Sequence, residues 1–269
     1  MFLPIKAAPM TASFRILAGL ALASVSSHAL AEDNFTPGDL TDEQASKRYV
    51  MDIGVAGFVN PKYDGADEYI IYPLPLIAFS RFYLPGFGQV KEGETQGVFI
   101  YPSFGFVGER NPSDSRSLDG TSRVPWAGEI GLGGGFRHDW FRAFIEVRHG
   151  FNGHRGFVGR AGIDVITEVT DRLTFVFGPR VDAADGSYMN TYFSVPAGAA
   201  GGPFTAEGGF KSVGGVVRAS YALTDTIGLH LQGGYDRLIG EAADSPITQN
   251  DNMWSVGFGA TYRFAWDMF

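Results

Sequence analysis

The 269-residue chain contains no cysteine, so disulfides, thiolate metal sites and cysteine nucleophiles are excluded from the start. Charged residues supply only 19% and aromatics 14%, while 37 glycines are about twice the ordinary usage of roughly 7%, a profile foreign to a helical enzyme. With 21 Lys and Arg against 29 Asp and Glu the net charge is −8, which repels phosphate backbones and leaves nucleic acid without an electrostatic footprint.

At the N-terminus, Lys6 and Arg15 precede an apolar run from Ile16 to Val25, and Ala29-Leu30-Ala31 supplies small residues before Glu32. The run is about ten residues, half of the roughly 20 that span a bilayer, so 1–31 is expected to be a secretory signal peptide cleaved after Ala31. That segment holds two basic and no acidic residues, leaving 19 against 29, or −10, in the remaining chain. Residues 32–48 are polar and acidic, with Pro37 and Gly38, and are expected to be a flexible periplasmic arm.

From Tyr49 the hydrophobic period is two rather than 3.6, and no later stretch has 18 consecutive apolar residues. The alternation predicts ten strands, at 49–59, 69–82, 96–108, 125–137, 140–150, 157–169, 172–183, 208–222, 226–237 and 253–264; a further hairpin within 82–96 would make twelve. Several strands confine their charges to one face. In 157–169, for example, Phe157, Ala161, Ile163 and Val165 oppose Arg160, Asp164 and Glu168. Segments of 10 to 14 residues exceed the 5 or 6 usual in globular sheets and match a tilted bilayer crossing. Tight turns at His138-Asp139, Thr170-Asp171-Arg172 and Thr224-Asp225 take turns with longer loops around 109–124, 184–206 and 239–252. Short turns at one end and long loops at the other mark an up-and-down transmembrane barrel over 49–269, with short turns and both termini in the periplasm.

This reading places Glu129, Arg137, Arg142, Glu146, Arg148, Arg160, Asp164, Glu168, Arg180, Asp182, Arg218 and Arg263 in the lumen, where charges must pair or be hydrated. The bland expectation is a paired lumen filling, and the sharper one a small-solute pore. Gly131 to Gly135 superficially suggests a phosphate loop, yet a β-alternating segment follows instead of a helix, so room for bulky lumen neighbours is the better account. His149 and His154, beside Arg148 and Arg155, have no acid between them and read as a polar loop; no metal or cofactor site is expected. His230, with Ser220 and Asp236 on similar faces, is the best approach to a catalytic triad, but nothing in the sequence brings the three together, and no catalytic residue is assigned. The last strand, Trp254 to Phe264, ends on aromatics like the C-terminal signal read by the barrel-assembly machinery, and Ala265-Trp266-Asp267-Met268-Phe269 follow it.

Three segments carry a specific resemblance. Pro61-Lys62-Tyr63-Asp64-Gly65-Ala66-Asp67, followed by Tyr69 and Pro73-Leu74-Pro75, resembles the first outer loop and second strand of the MipA/OmpV family of outer-membrane proteins. Tyr188 to Val195, with Tyr192, resembles that family's central loop motif, and Arg237 to Ile247, with Asp244-Ser245-Pro246, its C-terminal part. The resemblance spans about 49–264, and the five residues beyond Phe264 depart from the usual ending. It implies a non-enzymatic outer-membrane barrel that brings together murein-synthesising and murein-hydrolysing enzymes, a murein synthase and a lytic transglycosylase among its partners. A pore or a surface-binding barrel is the alternative. By turn chemistry the motif residues shape loops. The rival is an outer recognition site lined by Tyr63, Tyr69, Tyr188, Tyr192 and Asp244.

Overall fold

The computed structural model describes residues 40–86, 88–92 and 96–267, so the expected signal peptide and the first part of the arm lie outside the described residues. Among the described residues eleven antiparallel strands form one curled sheet: β1 (Tyr49–Pro61), β2 (Tyr69–Leu84), β3 (Gly88–Glu92), β4 (Gly97–Val107), β5 (Ala127–His138), β6 (Phe141–Asn152), β7 (Phe157–Thr170), β8 (Leu173–Ala184), β9 (Gly209–Ala222), β10 (Ile227–Leu238) and β11 (Asn252–Trp266). The ten long ones fall where the alternation predicts them. In the segment left open between ten and twelve strands, the short β3 pairs with the end of β2, from Arg81 to Leu84. The sheet order is β3-β2-β1-β11-β10-β9-β8-β7-β6-β5-β4, so the first and last long strands pair, and the two edges belong to β2 with β3 and to β4.

Alternation decides which side chains are covered. Along β6 the even-numbered Arg142, Phe144, Glu146 and Arg148 are buried, and the odd-numbered Ile145 and Val147 are exposed. The same holds across the sheet: Ile71 (76%), Val98 (78%), Ile100 (78%), Leu132, Ile163, Val217, Leu231, Val256 and Phe258 are exposed on its outer surface. Water would tax so large an apolar surface heavily, and a bilayer solvates it. Aromatic pairs rim this belt, with Phe106–Trp126, Trp126–Phe151 and Tyr235–Trp254 at the long-loop end and Trp140–Phe141, Tyr49–Trp266 and Tyr262–Phe264 at the short-turn end. No helix among the described residues is long and apolar enough to cross a membrane, which leaves crossing by strands untouched.

Turn chemistry sets the short-turn end. Asp139 adopts φ 48°, the left-handed conformation that Asp tolerates, and closes the β5–β6 hairpin. The last part of the acidic arm is structured: α1 (Asp42–Ser46) is one turn closed by a Thr41–Gln44 capping box. Gln44 Nε2 donates to the Asp225 carbonyl at 2.7 Å, which ties that turn to the β9–β10 connection. At the long-loop end, α2 (Gly186–Phe193) and α3 (Glu241–Asp244) sit within the loops after β8 and β10.

Candidate functional site

The interior is built by cross-strand register. β6 and β7 pair so that Arg142 lies opposite Asp164 and Glu146 opposite Arg160, and β7 and β8 place Arg160 opposite Asp182. Unlike charges thus face each other on the buried face, where like charges would repel. Asp164 accepts from Arg142 Nε at 2.9 Å and from Arg180 Nη2 at 2.7 Å, and both guanidiniums lie 5.0 Å from the Phe144 ring centre. Arg160 forks onto Asp182 at 2.7 and 2.9 Å, and Ser212 adds a third bond to that carboxylate at 3.1 Å. Arg148 bridges Glu129, at 2.9 Å, and Glu146, and Glu146 also accepts from Ser103 at 2.8 Å. Arg263 pairs with Asp52 at 2.9 Å, and Arg218 donates to Gln232 at 3.0 Å.

Eleven of the twelve charges expected in the lumen, Glu129, Arg137, Arg142, Glu146, Arg148, Arg160, Asp164, Arg180, Asp182, Arg218 and Arg263, are buried. Glu168 is the exception: it lies exposed near the β7–β8 turn, because the strand has left the covered zone by that residue. Asp52, Ser80 and Ser103 were missed, although their alternation parity gave the signal. The glycine run fits the steric reading, since a Cβ on Gly133 would sit 2.2 Å from the Tyr101 ring. The triad does not assemble. His230 Nδ1 is 3.2 Å from Ser220 Oγ, but its other nitrogen meets Thr261 Oγ1 at 2.8 Å, so a threonine occupies the orienting position that Asp236 would have to hold.

The long loops form a second buried body over this network. Asp185 caps α2 by accepting from the Tyr188 amide at 2.9 Å, and the helix buries Tyr188, Met189, Tyr192 and Phe193 against Val107, Val158, Leu238, Ala242 and Met253. A neighbouring cluster joins Tyr63, Ala66, Leu118, Val195 and Ile247. Arg110 Nη1 donates to the Tyr192 carbonyl at 2.5 Å, a cation at the helix C-terminus, and Ser245 Oγ reaches the Phe193 carbonyl at 2.5 Å. Tyr63 Oη contacts Ser117 at 3.0 Å and Gln249 at 2.9 Å, while Asp64 pairs with Lys211 at 2.7 Å. Gly65 takes φ +89°, with Thr248 pressed against it. Burial pushes the phenols of Tyr188 and Tyr192 well up and draws the Arg110 guanidinium down.

The three sequence motifs, at 61–75, 188–195 and 237–247, therefore meet in one cap. Tyr63, Tyr188, Tyr192 and Ser245 are buried inside it, Pro246 packs on Gly201, and Asp244 is exposed at the end of α3. Tyr69 stays half-exposed, its hydroxyl accepting from the Trp254 amide at 3.2 Å, and Pro73 and Pro75 lie away from the cap, on the outer face of β2. Pro61 ends β1. The five proposed recognition residues do not share a surface, because the three tyrosines Tyr63, Tyr188 and Tyr192 supply the cap's core. His154 departs from the solvated loop expected of it: it is fully buried, 3.2 Å from Glu129 and edge-on to Tyr188 and Tyr192, so it joins the cap to the charged interior. His149 is exposed and packs on Phe157. Among the described residues no group of three or more His, Asp or Glu is arranged to hold a metal ion. Sequence reasoning also missed Arg110 and Lys211, whose roles depend on loops distant in the chain.

The family described as "MltA-interacting protein MipA" matches residues 53–264. No curated protein matches the chain. Among solved structures, the chain is similar to the NanC porin (8% identity, TM-score 0.36, covering 79% of this chain and 98% of that one). It is also similar to OmpT of Vibrio cholerae, expressed in the outer membrane (7%, 0.35, 80% and 97%), and to Ail, the attachment invasion locus protein of Yersinia pestis (11%, 0.26, 81% and 99%).

Proposed function

The chain belongs to the MltA-interacting protein MipA family, and from that premise we propose that it is a non-enzymatic outer-membrane barrel serving as a scaffold for murein-synthesising and murein-hydrolysing enzymes. The observation that carries this reading is the filled interior. Paired side chains occupy the lumen beneath a packed cap, which favours binding at the ends of the barrel over passage through it. Murein lies in the periplasm, so the partner surface is the short-turn end: the N-terminal arm with α1, anchored by Gln44, and the connections at 81–95, His138-Asp139, Thr170-Asp171-Arg172 and Thr224-Asp225. Residues 32–48 hold Glu32, Asp33, Asp39, Asp42 and Glu43 against Lys47 and Arg48, and steer a basic partner patch at low salt. The lipid of the outer membrane covers the apolar belt, and the barrel-assembly machinery reads the aromatic last strand.

The test is affinity capture from solubilised envelopes with the full chain and with residues 32–46 deleted. Every strand survives the deletion, so the barrel assembles while capture of a lytic transglycosylase falls and weakens with salt. Undiminished capture by the deletion, together with loss on exchanging loop 186–206, overturns the reading. A clear single-channel conductance of the purified protein favours a solute pore instead.

A further inference from the structure

Prolines mark one joint of the wall. In an antiparallel ladder the N–H and C=O of a residue point to the same side, so a proline in an unbroken ladder turns its donor-less nitrogen away from that partner. The β1–β2 register runs without a break from Met51↔Phe79 to Pro61↔Tyr69 and includes Gly57↔Pro73 and Val55↔Pro75. The β4–β5 register is continuous through Pro102↔Leu132. All three nitrogens therefore face the two sheet edges, β2 and β4, that closure of the barrel brings together, and no ladder joins β2 to β4 among the described residues.

Pro179 in β8 shows what such a nitrogen costs. Its pairing with β9 is regular, whereas the β7 ladder on its other side is interrupted between Gly162↔Arg180 and Val165↔Phe177. There Arg180 Nη1 reaches the Ile163 carbonyl at 3.3 Å and supplies the missing donor. The inner face of β2 is lined by Leu74, Leu76 and Ala78, with the Tyr72 hydroxyl accepting from Asn60 at 2.7 Å and Ser80 donating to Asp52, and the Tyr101 and Ser103 hydroxyls of β4 are bonded to Glu146. Among the described residues an apolar contact links the edges: Phe106 of β4 packs against the cluster of Ala56, Phe58, Tyr72, Leu74, Leu76 and Ala78.

We propose that the β2–β4 seam is a lateral joint of the barrel, held by side-chain packing instead of a full backbone ladder, and the place where the wall opens sideways toward the bilayer. Unpaired backbone groups are costly in hydrocarbon, so the seam with three missing donors is the weakest join in the wall. Opening there uncovers the apolar sector of the interior and leaves the ion pairs of β5–β9 shielded from lipid.

Hydrogen–deuterium exchange read by mass spectrometry on the full chain in lipid nanodiscs tests this. Amides in 71–77 and 98–104 exchange at least about tenfold faster than those at the same depth in β6 and β10; equal protection overturns the proposal. Pro73→Val, Pro75→Val and Pro102→Val together restore three donors, slow exchange in both segments and raise the temperature of the heat-modifiable gel shift; unchanged exchange in a folded triple variant also overturns it. Should the triple variant not fold, Phe106→Ala serves: acceleration confined to the seam supports the joint, and acceleration spread evenly over all strands refutes it.

Discussion

Asp164 is the most exacting test of the filled lumen. Its carboxylate is fully buried and holds two cations, Arg142 at 2.9 Å and Arg180 at 2.7 Å, over one phenyl ring. Asp164→Ala strands both guanidiniums without a counter-charge. Removing one partner of a buried pair costs about 3–5 kcal/mol, and with two cations orphaned the loss belongs at the upper end of that range. Glu168→Ala, at an exposed strand end on the same β7, stays within about 0.5 kcal/mol. Urea titration of protein refolded into lipid vesicles, followed by the heat-modifiable gel band, gives both values. A companion variant, Asp164→Leu with Arg142→Met and Arg180→Met, removes the charges together and recovers most of the stability, since apolar replacement of a buried ion cluster is often neutral. If Asp164→Ala costs less than about 1 kcal/mol, the lumen charges are solvated as in an aqueous channel, and the argument against passage fails.

Register is tested by Phe177→Arg, which puts a charge on the exposed face of β8 and costs about 2–4 kcal/mol in vesicles, against Thr174→Arg on the lumen face, which costs less; equal losses contradict the assigned faces. Phe193→Ala empties the centre of the cap and is expected to cost about 3–5 kcal/mol while leaving the strands folded, seen as protease cleavage in loops 108–126 and 185–208 with an intact barrel core. The Arg123 guanidinium, then Asn111, hold the Glu109 carboxyl below its ordinary 4.5. A depressed folded-state value means the bond stabilises loop 108–126 above pH 4.5 and is lost as pH falls, so Glu109→Gln removes the acid-dependent rise in that loop's cleavage by an acid protease.

Much of the wall was legible in the sequence because a period of two is a local signal: parity alone put Arg142, Asp164, Arg160 and Asp182 on one face. Parity names a face but no partner, so Gln232 as the companion of Arg218 and Thr261 as that of His230 came only with the register. The cap was opaque for a different reason. Tyr63, Tyr188 and Tyr192 sit in turn-rich loops whose composition suggests exposure, and contacts with elements distant in the chain, Val195 and Ile247 for Tyr63 and Val107 and Leu238 for the other two, bury them. Arg110 shows the same limit, since its partner carbonyls at Thr191 and Tyr192 belong to a helix eighty residues away. Helix α1 could have been found, because Thr41 and Gln44 spell a capping box that the acidic composition of the arm obscured.

The cross-strand charge pattern also constrains how the wall is delivered to the membrane. A single strand bearing Arg142, Glu146 and Arg148 would meet the hydrocarbon with unneutralised charge, at about 2–4 kcal/mol for each arginine near mid-depth. Folded back on β7, the same strand presents Arg142 against Asp164 and Glu146 against Arg160, and β8 then brings Asp182 to Arg160. Three consecutive strands so matched give Arg142, Arg160 and Arg180 of the packet a facing carboxylate, and Arg148, which shares Glu146 within it, completes its pairing with Glu129 of β5. Insertion is therefore cheapest when β6, β7 and β8 cross the interface as a pre-paired meander, which makes the order of pairing during biogenesis a property written into the lumen rather than into the lipid-facing surface.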